Sequence, residues 1–447
     1  MSGVPRLFGT DGVRGKAGEA PLDPVMVRRL GAALVQALGH AAPRLLIGRD
    51  TRESGEWIER EFAHGARGHG AEVVSAGVIP TPGVAYLTRS SAFAAGVVIS
   101  ASHNPYEDNG IKVFSGTGEK FTEALERSVE SIVADPSWDP SAGSAPPVPL
   151  AQVTSPYLDH LRAIVAADAA ALGGTSIALD CANGATAAVA PELFRSIGCR
   201  VAVIGDGPDG RNINLRCGST HPEALAARVV QGGHRLGVAF DGDGDRAIFV
   251  DERGRIVDGD AVMLMCARQM KTEGRLKGDV VVATVMSNLG LELALRESGI
   301  LLVRCQVGDK YVMEEMLKRD ASLGGEQSGH VIFSDYLFTG DGLCTALQVL
   351  RVMIATGRGL GDLASDLTTY PQVLVNVRVR ERAELGRIAG IADVIARVEQ
   401  RLGGGGRLLV RYSGTEPLLR IMLEGPDERD IRGWADEIAA AVRRHLA

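Results

Sequence analysis

The stretch LGVAFDGDGDR (236–246) decides the fold, because an apolar run typical of a buried strand ends there in a polar, glycine-containing loop. The same succession recurs at LLIGRDTRESG (45–55), GVVISASHNP (96–105), SIALDCANGAT (176–186) and DVVVATVMSNLG (279–290). Apolar β-branched runs that alternate with helical stretches indicate βαβ units, in which ligands collect at the carboxyl ends of the strands. We therefore predict three related α/β units.

Chain length and local composition predict how these units are arranged into domains. A chain of 447 residues is too long for one core and fits three or four domains of roughly 100–150 residues. Segment 134–151 is rich in Pro, Ala and Ser and is typical of a linker. The tail alternates strand and helix around a GGGG segment, which predicts a small α+β domain. The predicted domains span 1–151, 152–256, 257–368 and 369–447.

Composition and charge argue against several classes of protein. Hydrophobic residues make up 45% of the chain and charged residues 23%, as in globular proteins. The formal net charge of -7 argues against a nucleic-acid partner. The sequence contains no run of about 18 apolar residues, the length needed to span a membrane. The six cysteines form no CxxC pair, which indicates reduced thiols. Because the N-terminus has no signal-peptide pattern, we predict a cytoplasmic protein.

DGDGDR (241–246) is predicted to hold a divalent cation. Its carboxylates, Asp241, Asp243 and Asp245, occupy alternate positions, and the intervening glycines allow the backbone to fold closely around a hard ion. Oxygen-only ligands favour Mg²⁺ or Ca²⁺ over zinc. An EF-hand loop would need glycine where Arg246 stands, and a solvated acidic turn would need fewer carboxylates.

ISASHNPYEDNGIKVF (99–114) is predicted to place a nucleophile, Ser102, at the end of an apolar strand. A serine nucleophile needs a base, a stabilising charge or a metal, and His103, Lys112 and the acidic cluster could supply these. The local sequence is equally compatible with Ser102 as a helix cap. A hydrolytic Ser–His–Asp triad is a further alternative, although this stretch contains no GxSxG motif.

GGEQSGHVIF (324–333) contains groups suited to a sugar. Glu326 and Ser328 lie two residues apart on one side of a predicted loop, and His330 follows closely. A carboxylate beside a hydroxyl commonly binds vicinal sugar hydroxyls, and a plain turn is the alternative.

RYSGTEPLLR (411–420) contains groups suited to a phosphate monoester. It combines the guanidinium of Arg411, the hydroxyls of Ser413 and Thr415 and the backbone amide of Gly414. Arginines also occur in the glycine-rich turns LFGTDGVRG (7–15) and GRDTRESG (48–55), where solvated side chains are the commoner outcome.

Taken in order, these motifs resemble those of the α-D-phosphohexomutase superfamily over essentially the whole chain. SASHNPYEDNGIKVF is similar to its phosphoserine loop, DGDGDR to its metal loop, GEQSGH to its sugar loop and RYSGTEP to its phosphate loop. LFGTDGVRG, Gln327 and NINLRCGSTHPE (212–223) resemble the branch that acts on glucosamine phosphates. Lys310 stands where the pattern suggests arginine, and lysine lacks the bidentate fork.

The resemblance implies an α/β protein with three similar domains of mixed sheets and a smaller C-terminal α+β domain, arranged around a central cleft. It implies reversible conversion of glucosamine 6-phosphate to glucosamine 1-phosphate through phosphorylated Ser102 and a glucosamine 1,6-bisphosphate intermediate. One Mg²⁺ would bind the three aspartates and a phosphoserine oxygen. The product would feed the synthesis of UDP-N-acetylglucosamine and the cell wall.

The resemblance also implies a role for each site residue. Charge stabilisation is expected from Arg14 and Arg246, and proton transfer from Lys112, His103 or His330, which the sequence does not rank. Sugar hydroxyls are expected to bind Glu326 and Ser328, and the non-reacting phosphate is expected to bind Arg411, Ser413, Gly414 and Thr415.

Other functions stay open at this point. A sister mutase acting on glucose or mannose phosphates would share all four loops. A metal-dependent sugar phosphatase would share the aspartates, and a non-catalytic binding protein would bind ligand without turnover. A homodimer is compatible with the sequence, which does not determine the oligomeric state.

Overall fold

The computed structural model describes residues 6–140, 143–151, 154–413 and 417–446. The chain divides into two compact units, Met1–Met286 with Ile300–Ser365, and Ser287–Gly299 with Asp366–Ala447. Within the described residues, no helix has the length and apolarity needed to cross a bilayer. The six cysteines are free thiols, and five of them are buried.

The elements, numbered along the chain, alternate strands and helices. The strands are β1 (Val13–Lys16), β2 (Arg44–Arg49), β3 (Glu72–Val78), β4 (Ala95–Ile99), β5 (Asp108–Ser115), β6 (Ser176–Asp180), β7 (Arg200–Ile204), β8 (Leu236–Phe240), β9 (Ala247–Asp251), β10 (Ile256–Val257), β11 (Val280–Thr284), β12 (Leu301–Cys305), β13 (Leu323–Gly325), β14 (Val331–Phe333), β15 (Gln372–Arg378), β16 (Arg407–Tyr412) and β17 (Leu418–Glu424). The helices are α1 (Pro24–Leu38), α2 (Gly55–Gly68), α3 (Thr81–Ser90), α4 (Glu123–Ala134), α5 (Thr154–Ile164), α6 (Ala169–Leu172), α7 (Thr186–Ser196), α8 (Glu223–Gly232), α9 (Gly259–Thr272), α10 (Leu289–Glu297), α11 (Asp309–Arg319), α12 (Gly342–Thr356), α13 (Leu360–Ala364), α14 (Ala389–Leu402) and α15 (Glu428–Leu446).

The first unit contains three mixed sheets that share the same arrangement of four strands. Their strand orders are β1-β5-β4-β2-β3, β10-β9-β8-β6-β7 and β12-β11-β13-β14. In each sheet three neighbouring strands are parallel, and an antiparallel strand follows the third of them in sequence: β5 after β4, β9 after β8 and β14 after β13. The prediction of three similar α/β units is confirmed.

This shared topology places three loops of the predicted site at equivalent positions. Loops 100–107, 241–246 and 326–330 each join the third parallel strand of a sheet to its antiparallel neighbour. The strands β4, β8 and β13 that precede these loops are completely buried. Burial on both faces explains why they appear in the sequence as continuous apolar runs rather than alternating ones.

The second unit is a small α+β structure. Its sheet has the antiparallel order β15-β17-β16, and α10, α14 and α15 belong to the same unit. Asn288, the N-cap of α10, bonds Tyr370 through both its amide nitrogen and its amide oxygen. The core is formed by buried aliphatic residues of α14, α15 and the sheet. The predicted fold class is therefore confirmed, whereas the predicted domain boundaries stay predictions.

Candidate active site

Ser102 lies three residues after the end of β4 in a left-handed backbone conformation, with φ of 53°. Its hydroxyl donates a hydrogen bond to Asp241 Oδ2, and His103 Nδ1 lies 3.4 Å from the same Oγ. Turns and then β5 follow it, so the helix-cap interpretation is wrong. The structure brings the predicted nucleophile to the predicted metal loop although 139 positions separate them.

The carboxylates of Asp241, Asp243 and Asp245 converge within one small volume. One oxygen from each lies within 4.8 Å of the others, and all three residues are buried. Asp243 Oδ2 accepts from Thr81 and Lys112, but Asp243 Oδ1 and Asp245 Oδ1 accept no hydrogen bond in the part of the chain that the structure describes. Unpartnered buried carboxylate oxygens are costly, and their clustering fits a bound hard cation.

The electrostatics of this trio lead to the same conclusion. Burial, together with the negative charges of Asp245 and Asp243, raises the pKa of Asp241 well above its ordinary value. A divalent cation would offset both causes, since it would replace lost hydration and neutralise the mutual repulsion. The donor set therefore fits Mg²⁺.

Two glycines make this packing possible. A Cβ atom at Gly242 would lie 2.5 Å from the Ser102 carbonyl oxygen, so any side chain there would separate the two loops. Gly244 has φ of 72°, a region that other residues seldom adopt. The alternating Asp–Gly pattern therefore reflects both ligand spacing and close approach of the backbone.

A second group, Asp245, Asp309 and His330, also lies within coordination range but is less suited to a metal. His330 Nε2 accepts the Gly340 amide at 3.0 Å, so its lone pair is occupied and the ring proton lies on Nδ1. Asp309 accepts from the ammonium of Lys120. Since the ligand atoms of His330 and Asp309 already have partners, the DGDGDR group is the better candidate.

Lys112 is buried among three carboxylates. Its ammonium lies 2.8 Å from Asp243, 3.0 Å from Asp11 and 3.6 Å from Asp245. Burial alone would lower the pKa of Lys112, but these carboxylates more than offset it and hold the pKa well above its ordinary value. Lys112 is therefore a fixed positive charge in this state.

His103 has the opposite character. Burial, with the positive charges of Arg246 and Arg14, lowers the pKa of His103 to about 4. Its imidazole is therefore neutral at physiological pH and retains a nitrogen lone pair.

A cavity of about 420 Å³ opens beside these groups. Six predicted site residues line it: Arg14, His103, Asp245, Arg246, Glu326 and His330. Arg14 Nε and Arg246 Nε are buried N–H groups that form no hydrogen bond within the described ranges, although Arg246 Nε lies 3.9 Å from Asp245 Oδ1. Two arginine N–H groups without a hydrogen bond beside one cavity suit an anionic ligand.

The residues of the predicted sugar loop, 326–330, differ in whether their side chains reach the cavity. Glu326 lines the cavity, and its Oε1 accepts the Gly308 amide at 3.2 Å. Ser328 is exposed and does not line the cavity, so its predicted sugar contact lacks support here. Gln327 donates to Asp258 Oδ2 at 3.1 Å, and Asp258 is the N-cap of α9. The side chain of Gln327 therefore supports the start of this helix.

Sequence reasoning missed a cluster of acidic and basic residues at the cavity. Asp11 binds Lys120 at 2.6 Å as well as Arg14 and Lys112, and Lys120 also binds Asp309. Asp11 lies within LFGTDGVRG, where only Arg14 drew attention, and Lys120 belongs to no recognised motif. A charged residue that connects distant loops cannot be recognised from the residues next to it in the sequence.

Lys310, the position where arginine was expected, does not line the cavity. Its ammonium donates to Glu126 Oε2 at 2.7 Å, and both side chains are nearly buried. A single-point ion pair suits the compact ammonium of lysine. Lysine at this position therefore forms an ion pair within the protein, and its presence removes no contact to a ligand in the cavity.

In the second unit, Arg411 is the penultimate residue of β16 and lies opposite Arg420 on β17. Burial and the charge of Arg420 lower the pKa of Arg411. Ser413 is buried, and its carbonyl accepts from Arg382 at 2.6 Å. Three guanidinium groups around one loop suit a phosphate. The other predicted ligands of this loop, Gly414 and Thr415, lie outside the described residues.

Four domain models of one family match the chain in order. They are "Phosphoglucomutase/phosphomannomutase, alpha/beta/alpha" domains I, II and III at residues 5–139, 155–254 and 258–370, and the C-terminal domain at 374–441. Together they reproduce the succession of three α/β domains and one smaller domain.

Individual relatives extend this similarity over the full length. A phosphoglucosamine mutase from Solibacter usitatus is 51% identical, over 98% of this chain and 99% of that protein. A phosphoglucomutase/phosphomannomutase family protein from Burkholderia thailandensis superposes with a TM-score of 0.79 at 24% identity, covering 98% and 97% of the two chains. An Aspergillus fumigatus N-acetylphosphoglucosamine mutase, in complex with GlcNAc-6P and magnesium, has a TM-score of 0.66 at 18% identity, covering 98% and 95%. From its four matched domains and its full-length relative, the chain belongs to the phosphoglucomutase/phosphomannomutase family of phosphohexomutases.

Proposed function

We propose that this chain is a phosphohexomutase that interconverts glucosamine 6-phosphate and glucosamine 1-phosphate through a phosphoserine at Ser102. The observation that carries the proposal is the hydrogen bond from Ser102 Oγ to Asp241, beside two carboxylate oxygens that accept no hydrogen bond from the described residues. A phosphoryl group on this oxygen would lie next to a cation site and to the arginines of the cavity. The similarity to phosphoglucosamine mutases supports glucosamine as the sugar.

Mg²⁺ would be held by Asp241, Asp243 and Asp245, with a phosphoserine oxygen as a further ligand. When bound, it would neutralise part of the charge on the transferring phosphoryl group. The magnesium in the fungal mutase complex agrees with this choice of ion.

The chain's own residues would perform the rest of the reaction. In the first half, the bond between phosphorus and Ser102 Oγ breaks, and a bond forms between phosphorus and the free hydroxyl of the substrate. The result is glucosamine 1,6-bisphosphate. The bisphosphate then reorients within the site. In the second half, its other phosphoryl group is transferred to Ser102 Oγ, which regenerates the phosphoserine.

The proton that leaves the substrate hydroxyl needs an acceptor at the cavity. We assign this role to His103, because its imidazole is neutral and lies 3.4 Å from Ser102 Oγ. The proton that His103 accepts would pass to Ser102 Oγ, which leaves phosphorus as a hydroxyl. Lys112 would instead stay protonated as a fixed charge, and His330 would orient Asp245, which lies 3.6 Å from its Nδ1.

Substrate binding would use the remaining predicted groups. Arg14 and Arg246 would bind phosphoryl oxygens through the N–H groups that form no hydrogen bond within the described ranges, and Glu326 would bind a sugar hydroxyl. Arg411 and Ser413 would bind the non-reacting phosphate. The proposal includes action in the cytoplasm, which the free cysteines support. A homodimer is compatible with this function.

A coupled assay that compares glucosamine, glucose and mannose 6-phosphates tests the assignment, with inorganic phosphate measured in parallel. We expect isomerisation, fastest with glucosamine 6-phosphate, and very little phosphate release. Preference for glucose or mannose phosphate would assign the chain to a sister mutase. Stoichiometric release of inorganic phosphate would instead indicate a phosphatase, and no turnover with any sugar would contradict the proposal.

A further inference from the structure

We propose that Arg52 and Asn214 are positioning residues that hold the backbone of Ser102 from two different domains, so that its hydroxyl stays aimed at the metal site. The inference rests on the proposed function and deepens it. Neither residue touches the cavity, and both lie in stretches whose roles were left open, GRDTRESG and NINLRCGSTHPE.

The two side chains bind the same pair of carbonyl groups. The Ser102 carbonyl accepts from Arg52 Nη2 at 2.9 Å and from Asn214 Nδ2 at 2.9 Å. The Asn104 carbonyl also accepts from both, at 2.9 Å and 3.1 Å. Each carbonyl thus uses both of its lone pairs on donors from two loops, one after β2 and one after β7, which fixes the orientation of the peptide groups beside the nucleophile.

The amide of Ser102 is held as well. It donates to Ser100 Oγ at 2.9 Å, and that hydroxyl donates to Asp50 Oδ2 at 2.6 Å. Arg52 Nε binds the same Asp50 oxygen at 2.9 Å. Both polar backbone groups of Ser102 therefore connect, directly or through Ser100, to the Asp50–Arg52 pair.

All N–H groups of the Arg52 guanidinium donate hydrogen bonds in and around the Ser102 loop. It is only 1% exposed, and its N–H groups donate to Asp50 and to the carbonyls of Ser102, Asn104, Pro105 and Asp108. A guanidinium has five N–H donors, so every one is used. Lysine would keep the charge but lacks the fixed fork that reaches several carbonyls.

Asn214 supplies the contact from the second domain. It lies between β7 and α8 with φ of 58°, a left-handed conformation that Asn tolerates better than most residues. Ser102 itself has φ of 53°, which carries a backbone cost unless the surroundings maintain it. We call the hydrogen bonds from Arg52 and Asn214 to the carbonyls of Ser102 and Asn104 the carbonyl clamp. This clamp explains how the left-handed conformation of Ser102 can persist while the charge on its Oγ changes during turnover.

The effect on catalysis follows from geometry. Ser102 Oγ must face Asp241 and the substrate in turn, and a displacement of about 1 Å can reduce a transfer rate about 100-fold. Loss of the clamp should therefore lower kcat, whereas KM should change little because the clamp residues do not line the cavity.

The test compares Asn214→Gly with Asn183→Gly. Asn183 has φ of 49° in the same domain and does not contact Ser102, so glycine removes an amide from a left-handed position in both variants. kcat and KM for glucosamine 6-phosphate are measured for both and for the wild type, with melting temperature and phosphoserine content. We expect Asn214→Gly to lose about tenfold in kcat with KM changed less than about twofold, and Asn183→Gly to keep wild-type values.

Arg52→Lys provides an independent measurement. Because both donors act through the same two carbonyls, the losses in kcat from Arg52→Lys and Asn214→Gly should be less than additive in the double variant. If Arg52→Lys does not fold, the comparison of the two asparagine variants still decides. Wild-type kcat in Asn214→Gly, or an equal loss in Asn183→Gly, would overturn the inference while leaving the mutase assignment intact. A wild-type protein without mutase activity would overturn the proposed function instead.

Discussion

The ammonium of Lys112 lies 2.8 Å from Asp243 Oδ2, and both side chains are at most 2% exposed. Lys112 therefore supplies part of the positive charge that the acidic trio needs when no cation is bound. Lys112→Met should destabilise the metal-free protein by about 3 kcal/mol, because carboxylates stay buried without compensation. Mg²⁺ should restore more stability to this variant than to the wild type.

Chemical denaturation with and without Mg²⁺ measures both effects. Lys318→Met, which changes a lysine whose side chain is 68% exposed, is the matched control and should behave like the wild type. Equal stabilisation of Lys112→Met and wild type by Mg²⁺ would show that Lys112 and the cation do not share the same carboxylates.

Ser102→Ala should abolish mutase turnover, by about 10⁴-fold or more, and leave the fold intact, because a nucleophile has no substitute. Intact-mass spectrometry should find one phosphoryl group on part of the wild-type protein and none on the variant. The exposed Ser91 offers a control, since Ser91→Ala should retain both activity and phosphate. Residual turnover near the wild-type level in Ser102→Ala would eliminate the phosphoserine mechanism.

Chelation of divalent metal should stop turnover, and Mg²⁺ should restore it. Mg²⁺ at about 100 times its dissociation constant should also stabilise the fold by about 2.7 kcal/mol. Asp241→Asn should reduce this stabilisation, whereas Asp436→Asn, a change on the exposed face of α15, should not. Differential scanning calorimetry provides a readout separate from activity, and an unchanged response in Asp241→Asn would remove Asp241 from the metal site.

Arg411→Ala should raise KM by about tenfold or more with a smaller effect on kcat, because a charge-assisted bond to the non-reacting phosphate is present throughout the reaction. Arg397→Ala alters an exposed arginine of the same unit and should leave KM unchanged. Steady-state kinetics distinguish the two variants. If KM is the same in both, the phosphate assignment for this loop is wrong.

Asp341 predicts a pH dependence of stability. Burial raises the pKa of this carboxyl from 3.8 to about 6, and Tyr157 donates to it at 3.0 Å. A raised folded-state pKa means that the folded protein binds a proton more tightly than the unfolded chain, so stability falls as pH rises from about 4 to about 6. Asp341→Asn should remove this loss.

Relative to wild type, Asp341→Asn should therefore gain about 2 kcal/mol in unfolding free energy between pH 4.5 and pH 7. Urea denaturation at the two pH values measures the difference, and comparison with wild type cancels the titration of other groups. A constant difference between the two proteins would show that Asp341 has an ordinary pKa in the folded state.

Much of the chemistry was predictable because it is local. The alternation of Asp and Gly in 241–246 specifies an oxygen-ligand loop, and the buried runs of β4, β8 and β13 specify parallel strands. Ser102 was harder to interpret, since its neighbours equally suited a helix cap. The strand β5 that follows excludes that interpretation.

Ser328 and Gln327 show the limit of reasoning from a motif. Both belong to GEQSGH, yet one is exposed and the other supports α9, and only Glu326 and His330 of this loop line the cavity. A sequence pattern gives the order of side chains but not the direction in which each one points.

The sequence by itself determined the types of loop, their order and the fold class, because strand burial, turn chemistry and ligand type depend on neighbours along the chain. Only the tertiary structure decided which groups meet. Asp11 contacts Lys120, and Arg52 and Asn214 bind the same carbonyl of Ser102. These partners lie far apart in sequence. The strands of the first sheet bring Asp11 to Lys120 and Arg52 to Ser102, whereas Asn214 comes from the loop that follows β7 of the second sheet. Their pairing depends on how strands and loops pack in three dimensions, which no short stretch of sequence encodes.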